Sequence, residues 1–286
     1  MKKEEKCQLC NSENILKLKL KKDNYNLMKC QQCELIFLNP IPKTKEIKEY
    51  YSNYLSKKNN KFINKEIIKL RKEKIWIPRY NTISKKIKME DKSILEIGSG
   101  TGEWLEILKR KKLNYLGIEI SPEEYKKTKI NYNVINKSLL EFKNEQTYDI
   151  IFMWDLIEHL NDLNSNFNKI NKLLNKNGHI IISTINTDSI SFSLKKSNWR
   201  FFYPPEHIYY FNEKSLKILA KKENYKIIHY ETKVLIQSYL TTNKKLNYNS
   251  KKIKFFSYKV KLFIEEILSK ILKKKGEIIF IILEKK

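Results

Sequence analysis

Ser93-Ile-Leu-Glu-Ile-Gly-Ser-Gly-Thr-Gly102 is the stretch on which the fold turns. The chain has only six glycines, and three of them stand here, so the cluster marks a demand of the backbone. Glycines set this closely make a tight turn where a ligand can approach main chain. The apolar run at residues 94–97 reads as a buried parallel strand. A helix is expected over 103–111, with Trp104, Leu105 and Leu108 on one face. Asn114-Tyr-Leu-Gly-Ile-Glu-Ile120 then gives a second strand ending at Glu119. Strand, glycine turn, helix, strand and acid together open a nucleotide-cofactor fold.

The acids narrow the ligand. A dinucleotide turn needs Gly-x-Gly-x-x-Gly, and counting from Gly98 puts Glu103 at the third glycine, where a carboxylate repels pyrophosphate. The pattern present is Glu-x-Gly-x-Gly-x-Gly from Glu96. Carboxylates around the turn suit a cation carrying an ammonium and a sulfonium. On these residues the chain resembles class I S-adenosylmethionine (SAM) dependent methyltransferases, whose first motif matches Leu95-Glu-Ile-Gly-Ser-Gly-Thr-Gly102. The resemblance implies that Glu96 and the backbone of Gly98, Ser99, Gly100, Thr101 and Gly102 hold the methionine moiety. It implies that Glu119 takes the two ribose hydroxyls and that Ile120 flanks the adenine. Ser138 stands near the place where many relatives carry an acid against the adenine amino group. Trp154, at the end of the fourth strand, joins the cofactor residues.

The rest of the chain continues the alternation. Strands are expected over 148–154, 179–185, 225–233 and 276–284, and helices over 165–176, stopped by Asn177-Gly178, and over 213–222. This predicts an α/β fold with a doubly wound, mostly parallel seven-stranded sheet, the Rossmann-like methyltransferase fold.

All four cysteines fall in the first 33 residues, as Cys7-x2-Cys10 and Cys30-x2-Cys33. Two such turns complete a tetrahedral sulfur cage, and the spacing is that of a zinc ribbon. Two disulfides are the competing pairing, but the start of the chain has no export signal and thiols in the cytosol stay reduced. Four protein ligands leave no open position, so the Zn2+ is structural. The stretch Cys30-Gln-Gln-Cys-Glu-Leu-Ile-Phe-Leu-Asn-Pro40, followed by Glu49-Tyr-Tyr51, resembles the ribbon fused to bacterial sugar methyltransferases. The expected organisation is a ribbon over 1–42, a helical linker over 43–90 that packs near the cofactor, and the SAM domain over 91–286 with a helical insertion at about 237–275.

The 286 residues carry a formal charge of +26, which by itself points to nucleic acid or an anionic surface. Only four of the 58 basic residues are arginine, namely Arg71, Arg79, Arg110 and Arg200. Base-reading and bidentate phosphate sites favour arginine, so the charge reads as solvated lysine from AT-rich codons, and a nucleic-acid partner is disfavoured. With 41% hydrophobic residues the chain can bury a core. The longest aliphatic run, at 278–283, is far shorter than the roughly 18 residues of a membrane span, so a cytoplasmic protein is expected. Residues 251–275 form a basic amphipathic pattern, with Phe256, Val260, Phe263, Ile264, Ile267 and Ile271 at helical spacing. That pattern fits packing on the domain or peripheral contact with the inner membrane face.

Two histidines follow strand ends, where ligands bind in such sheets. His159 closes Asp155-Leu-Ile-Glu-His159, and His207 lies in the aromatic stretch Trp199-Arg-Phe-Phe-Tyr-Pro-Pro-Glu-His-Ile-Tyr-Tyr-Phe211. Imidazole suits proton removal near neutral pH. Resemblance to sugar C-methyltransferases implies that His159 and the pair Glu206-His207 act near the acceptor; Pro204 stands where those enzymes carry a tyrosine. Asp155, Glu158, His159 and His207 are alternatively a divalent metal set, or the histidines order their loops. The aromatic stretch is either packing or a sugar-stacking wall. The leading expectation is methylation of a small molecule, a sugar or nucleotide-linked sugar of surface-glycan synthesis. An RNA methyltransferase using the ribbon and lysines, and a non-catalytic SAM-binding module, are the alternatives.

Overall fold

The computed structural model describes residues 5–22, 25–42, 46–47, 69, 71–143, 145–234, 267–268, 271–272 and 275–286. Strands β1 (Ile15–Lys22), β2 (Tyr25–Cys30) and β3 (Ile36–Asn39) make an antiparallel ribbon sheet. The main sheet contains β4 (Ser93–Ile97), β5 (Asn114–Ile118), β6 (Val134–Ile135), β7 (Tyr148–Trp154) and β8 (Leu174–Ile185). The two-residue β9 (Tyr209–Tyr210) joins the ribbon instead, antiparallel to β3, and β10 (Tyr225–Lys233) and β11 (Ile278–Lys285) complete the main sheet. A π-helical turn, Lys72–Trp76, leads into α1 (Ile77–Ser84). The other helices are α2 (Glu103–Arg110), α3 (Pro122–Thr128), α4 (Leu163–Leu173), α5 (Ile190–Lys195) and α6 (Glu213–Lys222).

The main sheet runs β10-β11-β8-β7-β4-β5-β6, and only β11 is antiparallel to its neighbours. This is the doubly wound, mostly parallel seven-stranded sheet that the alternation predicts. Successive side chains leave opposite faces of a strand, so one sheet feeds two cores. Leu95, Ile151, Ile180, Ile182, Ile279 and Ile281 pack with α4 and the ribbon. Ile94, Ile150, Phe152, Ile181, Phe280 and Ile282 pack with α1 and α2. Burial on both faces is why these strands read as unbroken apolar runs rather than as alternation.

One boundary differs from expectation. The helix expected to reach residue 176 ends at Leu173, and Leu174 opens β8. The pairing with β7 steps from Tyr148↔Leu174 to Ile150↔His179, and Asn177 sits at φ 58° inside that irregularity. Asn177-Gly178 therefore shapes a bulge rather than a helix cap. Both motifs use the same left-handed backbone, and burial of Leu174 in the sheet decides between them.

The expected linker over 43–90 is described chiefly from 71 onward, where it is helical up to Ser84. Most of the insertion at 237–275, and of the amphipathic pattern at 251–275, lies outside the described residues. Among the described residues no helix is long and apolar enough to cross a membrane.

Candidate active site

Strand order reverses between β4 and β7, because β4 continues to β5 on one side and the chain later crosses to β7 on the other. A crevice opens outside the carboxyl ends of the strands at such a switch point. The glycine turn leaves β4 there, and Asp155 to His159 leave β7. Gly98 and Ser99 both donate their N–H to the Ile118 carbonyl, at 2.8 and 3.1 Å. Gly102 caps α2 at φ 77°, where an added Cβ would lie 2.8 Å from the Tyr132 ring. Gly100, at φ 49°, is different: an added Cβ would meet nothing within 4 Å, so this main chain faces open space. Thr128 Oγ1 donates to the Gly100 carbonyl at 2.6 Å and pins the turn from α3.

Glu119 follows β5 directly. One of its oxygens accepts the Gly100 N–H and the other the Ser121 N–H, both at 2.7 Å. Burial pushes its carboxyl above the ordinary value, and the two N–H donors oppose that. Each oxygen keeps acceptor capacity for a further donor. Glu96, near the end of β4, is 3% exposed, and its Oε2 has no hydrogen-bond partner among the described residues. Burial, then the neighbouring Glu119, pushes it well above the usual carboxylate range. An orphaned buried carboxylate beside open glycine backbone fits a ligand that brings an ammonium group, so these residues fit SAM. Ser99 is also buried with its Oγ unpartnered, whereas Thr101 is exposed.

The remaining cofactor candidates are less alike. Ile120, directly after Glu119, is 44% exposed. Ser138 sits in a turn, its hydroxyl donating to Glu141 at 2.7 Å. The Trp154 ring is enclosed by Trp76, Trp104, Phe152 and Phe280, and Arg79 lies 4.7 Å over it. Only its buried indole N–H stays unpartnered.

The histidines converge. His159, on a 3-10 turn after β7, uses Nδ1 against the Glu206 carbonyl at 2.8 Å. His207 uses Nδ1 against the Phe201 carbonyl at 2.8 Å. The rings meet edge to face, with centroids 4.8 Å apart at 82°. An Nδ1 that donates to a carbonyl leaves Nε2 as the basic atom. Burial pushes His159 down to about 4 and His207 down to about 3, so both are neutral at physiological pH. Buried Glu158 accepts from Thr184 Oγ1 at 2.8 Å, and burial, then Asp155, pushes it up to about 8. Glu158, His159 and His207 each offer a ligand atom within 4.8 Å of the others. Asp155 is outside that set: it is exposed, sits at φ 48°, and accepts from Ser183 Oγ at 2.6 Å. Glu206 is brought to His159 by its carbonyl. In the aromatic stretch, Trp199, Phe202, Tyr209 and Tyr210 are buried in the core, so packing accounts for them, and Tyr203 stays 37% exposed.

Cys7, Cys10, Cys30 and Cys33 bring their Sγ atoms within 4.8 Å of one another, with Cys7–Cys33 and Cys10–Cys30 at 3.5 Å. Tetrahedral zinc with bonds of about 2.3 Å spaces its sulfurs by about 3.8 Å, so the four thiols fit such an ion.

Sequence reading missed several of the residues that build this site. Arg79 and Trp76 overhang Trp154, and the Trp76 indole donates to Glu103 at 2.6 Å. Their scarcity as residue types was the available signal. Thr184, Asn136 (which donates to the Glu119 carbonyl at 2.7 Å) and Gln8 carry no sequence signature.

Comparison with known proteins places this geometry. The family described as "Methyltransferase domain" matches residues 68–230. A ubiquinone biosynthesis O-methyltransferase of Pelagibacter ubique is 27% identical over 199 residues, covering 59% of this chain and 80% of that protein. An uncharacterized protein of Methanocaldococcus jannaschii is 33% identical over 153 residues, covering 52% of this chain and 55% of its own. Among solved structures, a SAM-dependent methyltransferase from Archaeoglobus fulgidus aligns over 82% of this chain and 100% of its own, at TM-score 0.54 and 20% identity. The magnesium protoporphyrin IX methyltransferase of Synechocystis with bound SAH aligns over 85% of this chain and 100% of its own, at TM-score 0.55 and 10% identity. These two share the fold.

Proposed function

The chain belongs to the methyltransferase-domain family and is a SAM-dependent methyltransferase; we propose that its acceptor is a small molecule, a sugar or nucleotide-linked sugar, and that His207 takes the acceptor's proton. The observation that carries the reading is geometric: two half-buried histidines meet edge to face after the strand ends, each with Nδ1 held by a backbone carbonyl. When bound, SAM supplies a methyl group on a cationic sulfur. Glu96 and the backbone of residues 98–102 hold its amino-acid part. Glu119, fixed by Gly100 and Ser121, receives the ribose hydroxyls, and Ile120 covers the adenine with Ser138 nearby. Asp155, Glu96 and Glu119 give this one crevice an acidic lining within a strongly basic chain. His207 Nε2 accepts the acceptor proton as the nucleophile is presented, and the Phe201 carbonyl keeps its ring in the required tautomer. His159, packed edge-on, positions His207. Zinc in the Cys7, Cys10, Cys30 and Cys33 cage is structural.

The ribbon motif, whose resemblance is to bacterial sugar methyltransferases, supports a sugar acceptor, and exposed Tyr203 supplies one aromatic face for it. Methyl transfer from labelled SAM to a panel of nucleotide sugars, with structured RNA as the counter-panel, tests the reading. Labelling of a nucleotide sugar is expected, and RNA labelling alone would overturn it. A second reading is favoured by the convergence of Glu158, His159 and His207 on one point: a divalent cation there would orient the acceptor oxygen. It predicts that chelator-treated enzyme regains turnover with added Mn2+ or Mg2+, whereas the base reading predicts no metal dependence beyond the ribbon.

A further inference from the structure

The ribbon forms part of the wall that carries His207, and we propose that Gln8 and Tyr209 are positioning residues of the acceptor site. Gln8 lies inside the first cysteine knuckle, between Cys7 and Cys10. Its Oε1 accepts from Tyr209 Oη at 2.5 Å and from the Leu163 N–H, at the start of α4, at 3.4 Å. Tyr209 is two residues beyond His207. The segment between them is stitched into the ribbon sheet: Ile36 pairs with Tyr210, Phe37 with Tyr209, and the Leu38 N–H donates to the Ile208 carbonyl at 2.9 Å. On its other side the Ile208 N–H donates to the Glu158 carbonyl at 2.8 Å. Ile208 thus ties the ribbon by one peptide group and the site by the other.

A two-residue strand has too little ladder to fix its own register. Beyond the ribbon, Phe211 makes a single parallel bridge to Asn186. The His207 N–H donates to the Tyr203 carbonyl at 3.0 Å, and its carbonyl accepts from Tyr210 Oη at 3.1 Å. Tyr210 is itself held in the ribbon ladder, and that ladder with the Tyr209 hydroxyl anchors the C-terminal side of the His207 backbone. A catalytic group misplaced by about 1 Å costs on the order of a hundredfold in rate. The hydrogen bonds of Gln8 and Ile208 run to Tyr209, α4, Leu38 and Glu158, so the ribbon acts on the acceptor side. The inference rests on the reading of His207 as an acceptor-side base.

Tyr209→Phe keeps the buried ring and removes only the hydroxyl. The zinc-replete 286-residue chain carrying this change, Gln8→Ala, or both, is compared with the wild type in three ways: histidine ring NMR, amide exchange over residues 206–211, and SAM calorimetry. The expected result is a displaced His207 ring signal with His179 and His229 unmoved. Exchange over 206–211 should rise roughly fivefold, with SAM affinity held within about twofold. The effects of the two changes on His207 should be less than additive in the double variant, because both remove the Tyr209–Gln8 bond; Gln8→Ala also frees the Leu163 N–H. With an acceptor in hand, kcat should fall about tenfold or more. An unmoved His207 signal with unchanged exchange overturns the proposal, and so does a parallel loss of SAM affinity. Absence of SAM binding by the wild type would instead count against the functional reading, and the His207 signal would still report on Gln8 and Tyr209.

Discussion

At the residue scale, the site is a set of buried groups in uncomfortable states. Glu96 carries the clearest consequence. Its carboxyl holds a proton above the ordinary carboxylate range, while a cationic ligand is bound by the ionised form. SAM affinity should therefore rise with pH as Glu96 ionises, with proton release on binding. Calorimetry in buffers of different ionisation enthalpy reads this directly, and Glu96→Gln should weaken binding and abolish the proton release. Two glycine substitutions, both at left-handed φ, separate a steric clash from occupancy of the ligand space. Gly102→Ala combines a left-handed φ with a clash against Tyr132 and should cost about 1–3 kcal/mol in thermal or denaturant unfolding. Gly100→Ala shares the left-handed φ but has room for its methyl group, so it should lose less stability than Gly102→Ala and should weaken SAM binding. His207→Ala should keep SAM affinity and slow transfer roughly a hundredfold or more; normal turnover would return His207 to a structural role. That Glu96, Glu119 and the glycines come together at one turn was legible, because scarce or charged residues stood at fixed offsets from a strand. Arg79 and Trp76 were not, because they reach Trp154 from a helix remote in sequence.

At the element scale, strands and helices followed hydrophobic period closely. The expected ranges at 148–154, 213–222 and 225–233 coincide with β7, α6 and β10. Local chemistry misled once. Asn177-Gly178 supplies a left-handed backbone equally suited to a cap and to a bulge, and only the pairing of Leu174 with Tyr148 settles which it is. β9 was hidden for a related reason: two residues carry no period, and their partner strand lies in the ribbon. At the start of α6, Asn212 and Ser215 form a reciprocal capping box, and Asn212 Nδ2 also donates to Glu34 of the ribbon at 3.1 Å. Asn212→Ala should destabilise the protein by about 1–2 kcal/mol, read as a lowered Tm.

At the scale of the whole molecule, acids buried in a basic chain give stability a definite pH dependence. The folded value of Glu158 is about 8, against about 4.3 unfolded. A raised folded value means that its contribution is complete below about pH 4.3 and is lost as pH climbs through 8. Glu158→Gln escapes that loss, so its Tm advantage over the wild type should grow from acid pH to pH 8 and then level off. The central claim is simpler: the crevice between Glu96, Gly98–Gly102 and Glu119 binds SAM. Titration of the purified, zinc-replete protein with SAM in a calorimeter tests it most directly. Saturable one-to-one binding is expected, weakened at least about tenfold by Glu119→Ala. No heat with SAM, or a Glu119→Ala variant that titrates like the wild type, would contradict it.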